Sequence, residues 1–194
     1  AEVVKDLISR NGISEGVVRI TVSRGHEHPT TVVTACPRDF RTASRPLRVV
    51  VSTYRVHPQL ARFKTASRLH YVLARREAEQ QGADEALLLN PDGRIAEFST
   101  ANIFLVCDGV LLTPPVSDGV LPGITRAAVL ELAGKLGIAT REQSLSVEVL
   151  AEAEEVFATN SLIGVARVCT WGRSRKVTAL LQRAYRAMVA EAAG

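Results

Sequence analysis

Long hydrophobic runs are missing from this 194-residue sequence. No uninterrupted apolar stretch approaches the roughly 20 residues that span a bilayer, and the N-terminus lacks a signal-peptide pattern, so a soluble, cytoplasmic protein with no membrane partner is expected. Cysteine is scarce. Cys36, Cys107 and Cys169 lie far apart without C-x-x-C spacing, which argues against a disulfide framework and against a zinc site and leaves buried free thiols as the expectation. Aromatic residues are only 5% of the chain and do not interleave with the basic ones, and no nucleic-acid reading motif is present, so nucleic acid is not an expected partner. Blocks of like charge are missing as well. The net charge of +4 comes from scattered arginines, densest at Arg38, Arg41, Arg45 and Arg48 and again at Arg173, Arg175 and Lys176. These read as solvated basic faces, and an anionic small molecule suits them equally. There is no internal repeat or low-complexity segment.

What is present is an apolar fraction of 46%, enough to bury a core in one medium domain or two small ones. Val3, Val4, Leu7 and Ile8 have helical spacing over Glu2 to Arg10, closed by Asn11-Gly12. Two β-rich runs follow, Glu15 to Arg24 and Thr30 to Ala35. One helix and a hairpin bury scarcely any core, so this segment is too little for a domain of its own. Cys36 to Pro46 is the candidate linker. Leu47 to Thr53 reads as the strand that opens the main domain, and a helix follows to Gln80, with Thr65 or Ser67 as its cap. Lys64 stands just before that helix, a position usually held by a surface lysine.

The stretch from Asp84 to Arg126 is the most informative. Ala86 to Asn90 is a strand, Pro91-Asp92-Gly93 a turn, Ile95 to Val106 a second extended run, Asp108-Gly109 a hairpin turn and Val110 to Thr113 the return strand. Glu97 sits within an otherwise uncharged run, where a buried carboxylate would need a cationic partner or become protonated. Gly123-Ile124-Thr125 opens a helix whose unpaired N–H groups and Thr hydroxyl can hold an anion. Further on, Ser146 could cap a short helix before Ala153, and Val177 to Ala193 is an amphipathic C-terminal helix with Leu180, Leu181, Ala184 and Met188 along one side.

The ordered pattern from Arg62 to Arg167, including DEALLLN-x-x-G-x-I-x-E-x-x-x-x-N-I-F and G-x-LPGITR, resembles the class IV (fold type IV) pyridoxal-phosphate enzymes: branched-chain and D-amino-acid aminotransferases and 4-amino-4-deoxychorismate lyase. The resemblance implies a mixed α/β fold: a C-terminal pseudo-barrel domain over 38–194, and a remnant, 1–37, of a small N-terminal α/β domain. It implies pyridoxal 5'-phosphate as cofactor, no metal, and a homodimer. Lys64, ahead of Glu77-Ala78, Gly82 and Glu85-Ala86, matches the lysine that forms the Schiff base and moves the proton. Glu97 matches the carboxylate that keeps the pyridine nitrogen protonated. Leu121 matches the residue packed on the ring. Gly123, Ile124 and Thr125 match one phosphate loop, and Thr159-Asn160-Ser161 a second, from which Asn160 and Ser161 are the candidates.

Family members normally carry a further stretch ahead of the position of Ala1, which includes an arginine for the cofactor phosphate; the resemblance assigns that role to no residue of this chain. Ser67 stands where many members have Asn. The spelling Lys64-Thr65-Ala66-Ser67-Arg68 and the run Thr159 to Gly164 resemble the lyase, which releases pyruvate and 4-aminobenzoate for folate biosynthesis from an anionic substrate. A class IV amino-acid aminotransferase is the alternative reaction, and a truncated, binding-only relative the non-enzymatic one.

Overall fold

The computed structural model describes residues 2–38 and 45–193. The chain forms two compact units, Ala1–Ser44 and Arg45–Gly194. The linker expected at Cys36 to Pro46, with Arg41 inside it, falls mostly on residues 39–44, outside those described.

In the first unit, helix α1 (Glu2–Arg10) precedes a hairpin of β1 (Gly16–Ser23) and β2 (Thr30–Pro37). The helix ends as the Asn-Gly pair demands. Gly12 adopts φ +59°, and the Ile13 amide reaches back to the Ile8 carbonyl at 3.1 Å, the wider bond of a Schellman ending. None of α1 is buried, and Ile20, Val22 and Val32 are exposed. As the sequence led us to expect, this unit has little core of its own.

The second unit layers helices outside two sheets. β3 (Val49–Arg55), β4 (Glu85–Leu89) and β5 (Ile95–Phe98) form the smaller sheet, with β3 parallel to β4 and β5 antiparallel to it. The larger sheet has the order β10-β9-β6-β7-β8, from β6 (Asn102–Cys107), β7 (Val110–Thr113), β8 (Thr140–Glu142), β9 (Glu155–Asn160) and β10 (Gly164–Gly172). Leu87, Leu89, Ile95 and Phe98 of one sheet pack with Ile103, Leu105, Val156 and Ala158 of the other. Isolated bridges, Leu47 to Val168 and Arg94 to Ser146, tie the sheets toward a barrel. Helix α2 (Pro58–Ala61) leads to α3 (Leu69–Gln80), which covers the outer face of the smaller sheet through Tyr71, Ala74 and Ala78 on Ala86, Leu88 and Ala96. Helices α4 (Ile124–Lys135) and α6 (Lys176–Ala193) cover the outer face of the larger sheet, where Val129, Ala133 and Leu181 meet Phe104, Val106 and Phe157. A short α5 (Val149–Glu152) lies against the inter-sheet core through Leu150. Strand β6 is buried on both faces, and the Phe104 and Phe157 rings stack at 5.1 Å. Truncating either to Ala would cost about 3–5 kcal/mol.

The structure departs from the sequence reading in several places. The run from Ile95 to Val106 is two strands in different sheets. Ser99 to Ala101 turns the chain between them: the Phe98 amide bonds the Ala101 carbonyl (2.8 Å), and the Ser99 and Thr100 hydroxyls donate to the buried Glu85 carboxylate, which Arg75 also reaches at 2.7 Å. Neither Thr65 nor Ser67 caps α3; Arg68 is its N-cap residue, and Thr65 Oγ1 donates to the Ser67 carbonyl instead. Ser146 does not cap α5, whose N-cap residue is Glu148. Cys36 and Cys169 are exposed and Cys107 half-buried, so the expectation of buried thiols fails. No helix among the described residues is long and apolar enough to cross a membrane.

Candidate active site

Glu97 owes its position to one extra residue in β5. Leu88 pairs with Glu97 and Leu89 with Ile95, so Ala96 is unmatched, a β-bulge. Ile95 faces the core between the sheets; in a regular strand its neighbour two positions on would face the same way, because side chains alternate with period two. The bulge cancels that parity and turns Glu97 to the face under α3, beside Tyr71. Glu97 is only 2% exposed.

The carboxylate is bonded on both oxygens. The Tyr71 hydroxyl donates to Oε1 at 2.6 Å, and Arg68 Nη2 stands 4.0 Å from the same atom. The Leu121 amide (3.0 Å) and Asn102 Nδ2 (3.2 Å) donate to Oε2. Burial nevertheless raises the pKa of Glu97 above the usual carboxylate range, against the opposing pull of those donors and of the Arg68 and Lys64 charges. The Arg68 guanidinium lies 3.7 Å over the Tyr71 ring. Lys64 is exposed on the connection between α2 and α3, near enough for its charge to act on Glu97.

The anion-holding candidates converge on the start of α4. The amides of Ile124, Thr125 and Arg126 occupy the first turn, where a helix has no internal acceptors. Gly123 is required there: a Cβ would lie 2.2 Å from Asn102 Oδ1. Asn102 links this turn to Glu97, since its Nδ2 also donates to the Leu121 carbonyl at 2.9 Å. Ile124 is 87% exposed, so its amide and not its side chain is the useful group. Thr125 is buried, with Oγ1 3.4 Å from the Tyr185 hydroxyl. Arg126 clamps the turn from behind, donating to the Pro114 carbonyl (3.0 Å) and Glu142 (2.5 Å).

The second loop follows β9. Asn160 Oδ1 accepts from the Leu162 and Ile163 amides (2.8 and 2.9 Å), and its Nδ2 donates to the Thr100 carbonyl. That side chain shapes the turn and leaves Ser161 exposed at its tip. Thr159 pairs directly with Asn102 and so shares its face. Its hydroxyl is buried without a hydrogen-bond partner among the described residues. A cavity of about 390 Å³ lies between this turn and α6, lined by Ser161, Leu162, Gln182, Tyr185 and Arg186.

Sequence reasoning missed Tyr71, Asn102 and Tyr185. No motif or spacing in the sequence marks Tyr71 or Tyr185. Asn102 carried a signal, a lone amide in a strand of Ile, Phe, Leu and Val, which a buried amide's need for partners makes informative.

The described residues thus bring together a buried carboxylate beside Arg68 and Lys64, the open first turn of α4 and the buried Thr159 hydroxyl, which has no hydrogen-bond partner among them. Residues 1–171 match the family model for amino-transferase class IV. The chain belongs to that family. It is 34% identical over 175 residues to a protein of Rickettsia bellii named as a branched-chain-amino-acid aminotransferase, a match covering 84% of this chain and 60% of that relative's length. It superimposes with a TM-score of 0.86 on a protein of Legionella pneumophila named as a 4-amino-4-deoxychorismate lyase, at 26% identity over 96% of this chain and 75% of the other. It also resembles the branched-chain aminotransferase of the thermophilic archaeon Thermoproteus uzoniensis, solved with norvaline (TM-score 0.84, 30% identity, 97% of this chain and 69% of the other).

Proposed function

We propose that this chain holds pyridoxal 5'-phosphate and serves the lysis of 4-amino-4-deoxychorismate to pyruvate and 4-aminobenzoate, as a cytoplasmic homodimer. The observation that carries the cofactor reading is Glu97: a carboxylate 2% exposed and oriented by donors on both oxygens, whose charged form burial disfavours and a further nearby cation would favour. A protonated ring nitrogen is such a cation. The residues fit the rest of the group as well. The unpartnered Thr159 hydroxyl and the open amides of the first turn of α4 suit a phosphate dianion, and the absent side chain of Gly123 leaves the backbone free to approach it.

In this reading Lys64 would be the amine that holds the cofactor covalently and, when free, the group that would move the proton at the substrate Cα. Glu97 would favour the protonated ring nitrogen, and Leu121 would pack on the ring. Gly123, Ile124, Thr125 and Ser161 bind the phosphate, while Asn160 keeps the Ser161 turn in shape through the amides of Leu162 and Ile163. Bound pyridoxal phosphate supplies an electron sink for the bond broken at Cα.

Those roles serve lyase and transaminase alike. The spelling Lys64 to Arg68 and the run Thr159 to Gly164 carry the lyase reading, and the Legionella pneumophila protein accords with it without excluding an aminotransferase, since the Thermoproteus uzoniensis enzyme superimposes nearly as well. The Rickettsia bellii relative favours a branched-chain aminotransferase as the second reading. Incubation with aminodeoxychorismate, and separately with L- and D-amino acids plus 2-oxoglutarate or pyruvate, tests both. Formation of 4-aminobenzoate supports the lyase. Conversion of the cofactor to its pyridoxamine form by an amino acid, with no 4-aminobenzoate formed, replaces it with the transaminase. A colourless protein that takes up no cofactor overturns both in favour of a binding-only relative, and sedimentation as a monomer removes the dimer.

A further inference from the structure

Glu97 is held by a residue that no motif marks. Its Oε2 is fixed by a backbone amide and a carboxamide, and its Oε1 by the Tyr71 hydroxyl at 2.6 Å. A carboxylate oxygen has two lone pairs, so the phenol settles the rotation of the group while leaving it room for a further donor. Tyr71 is itself immobilised. It is 4% exposed, its ring lies under Arg68, and the His70 ring lies 4.2 Å from it on the same helix. A buried phenol needs a partner, and the Glu97 carboxylate accepts its hydrogen bond.

We propose that Tyr71 is a positioning residue for Glu97, fixing the carboxylate's orientation and favouring its ionised form, so that the chain presents an oriented anion to the ring nitrogen of the cofactor. This rests on the reading of Glu97 as the partner of that nitrogen. The phenol is suited to the task because burial, then the charge of Glu97, push its own pKa far up, with Arg68 opposing; it remains a donor throughout the working range. The charged and titratable groups facing Glu97 are Lys64 from the α2–α3 connection and Arg68 and Tyr71 from α3, with His70 touching Tyr71. From the other side, among the described residues, come the neutral Asn102 and the Leu121 amide.

The test reads Glu97 directly in cofactor-free protein. Glutamate carrying 13C in its side-chain carboxyl is incorporated, and the Glu97 resonance is assigned by its loss in Glu97→Gln and titrated. In Tyr71→Phe, loss of a donor to the anion should raise the proton affinity of Glu97 on the order of tenfold. Replacing tyrosine with 3-fluorotyrosine keeps the packing and strengthens the phenol as a donor, and should lower that affinity. An unchanged Glu97 titration in both proteins overturns the proposal. If Tyr71→Phe does not fold, the fluorotyrosine protein decides alone, a fall supporting the proposal and no change or a rise overturning it. Cofactor uptake, followed separately by the borohydride-reducible absorption band, distinguishes failure of the underlying reading: a protein that takes up no pyridoxal phosphate but shows the titration shifts retains the Tyr71–Glu97 coupling and loses the cofactor assignment.

Discussion

Gly123→Ala probes how tightly the start of α4 is coupled to Glu97. The new Cβ would lie 2.2 Å from Asn102 Oδ1 and 3.3 Å from its Cγ. Neither group can retreat easily, because Asn102 is 4% exposed and its Nδ2 is bonded to the Leu121 carbonyl and to Glu97. If Asn102 is expelled, a neutral hydrogen bond and one to a carboxylate are lost, together about 2–4 kcal/mol. That corresponds to a fall in Tm of roughly 5–15 °C for a protein of this size. Gly134 is the control, since nothing lies within 4 Å of the Cβ it would gain and it sits inside the same helix; Gly134→Ala should stabilise by about 0.5–1 kcal/mol. Urea melts of both variants give the comparison. A double-mutant cycle sharpens it: in an Asn102→Ala background the clash is gone, and Gly123→Ala should then cost less than about 1 kcal/mol. Stability of Gly123→Ala within about 0.5 kcal/mol of the parent, or a full cost that persists without Asn102, would refute the reasoning.

Other perturbations follow from the same geometry. Lys64→Ala should abolish the borohydride-reducible cofactor band and leave the melting curve nearly unchanged, because Lys64 is exposed ahead of α3; a surviving reducible band would show that another amine does the work. Burial raises the folded pKa of Glu97 above the ordinary glutamate value of 4.5, so its contribution is complete below that value and is lost as pH rises through the folded one. Cofactor-free parent protein should therefore lose stability relative to Glu97→Gln with rising pH, and a flat difference in urea melts would contradict this. Glu155 is the opposite case. Burial works against its charge, but bonds from Thr178, Val177 and Ser174 prevail and lower its pKa. Its contribution is present above the unfolded value and lost as pH falls through the folded one; Glu155→Gln should cost about 2–3 kcal/mol near neutrality and progressively less in acid, as thermal melts across pH would show.

Much of the second unit was legible because its signals are local. The Asp108-Gly109 turn, with φ of 49° and 72°, is what an Asp-Gly pair between apolar runs encodes, and β7 falls on the expected Val110 to Thr113. Glu97 was legible as a charge out of place. The break between β5 and β6 was not, since Ser99 and Thr100 act there through Glu85, a partner fourteen and fifteen residues away. Helix caps failed for a related reason: Thr65, Ser67 and Ser146 have the right chemistry, but the helices start later, with Arg68 and Glu148 at their N-caps. Tyr71 was illegible because the apolar spacing that marks α3 as a helix does not mark its covered side: Leu69 and Val72 are exposed, and the buried face is Tyr71, Ala74 and Ala78.

The unmatched Ala96 makes the site a matter of counting as much as of chemistry. Shortening β5 by that residue would keep every lysine, carboxylate and glycine named above, yet restore the strand's two-residue rhythm and deliver the Glu97 carboxylate among Leu87, Leu89 and Phe98. Such a chain would hold the full set of parts with the acid on the wrong side of a wall one strand thick, beyond the reach of Tyr71 and Arg68.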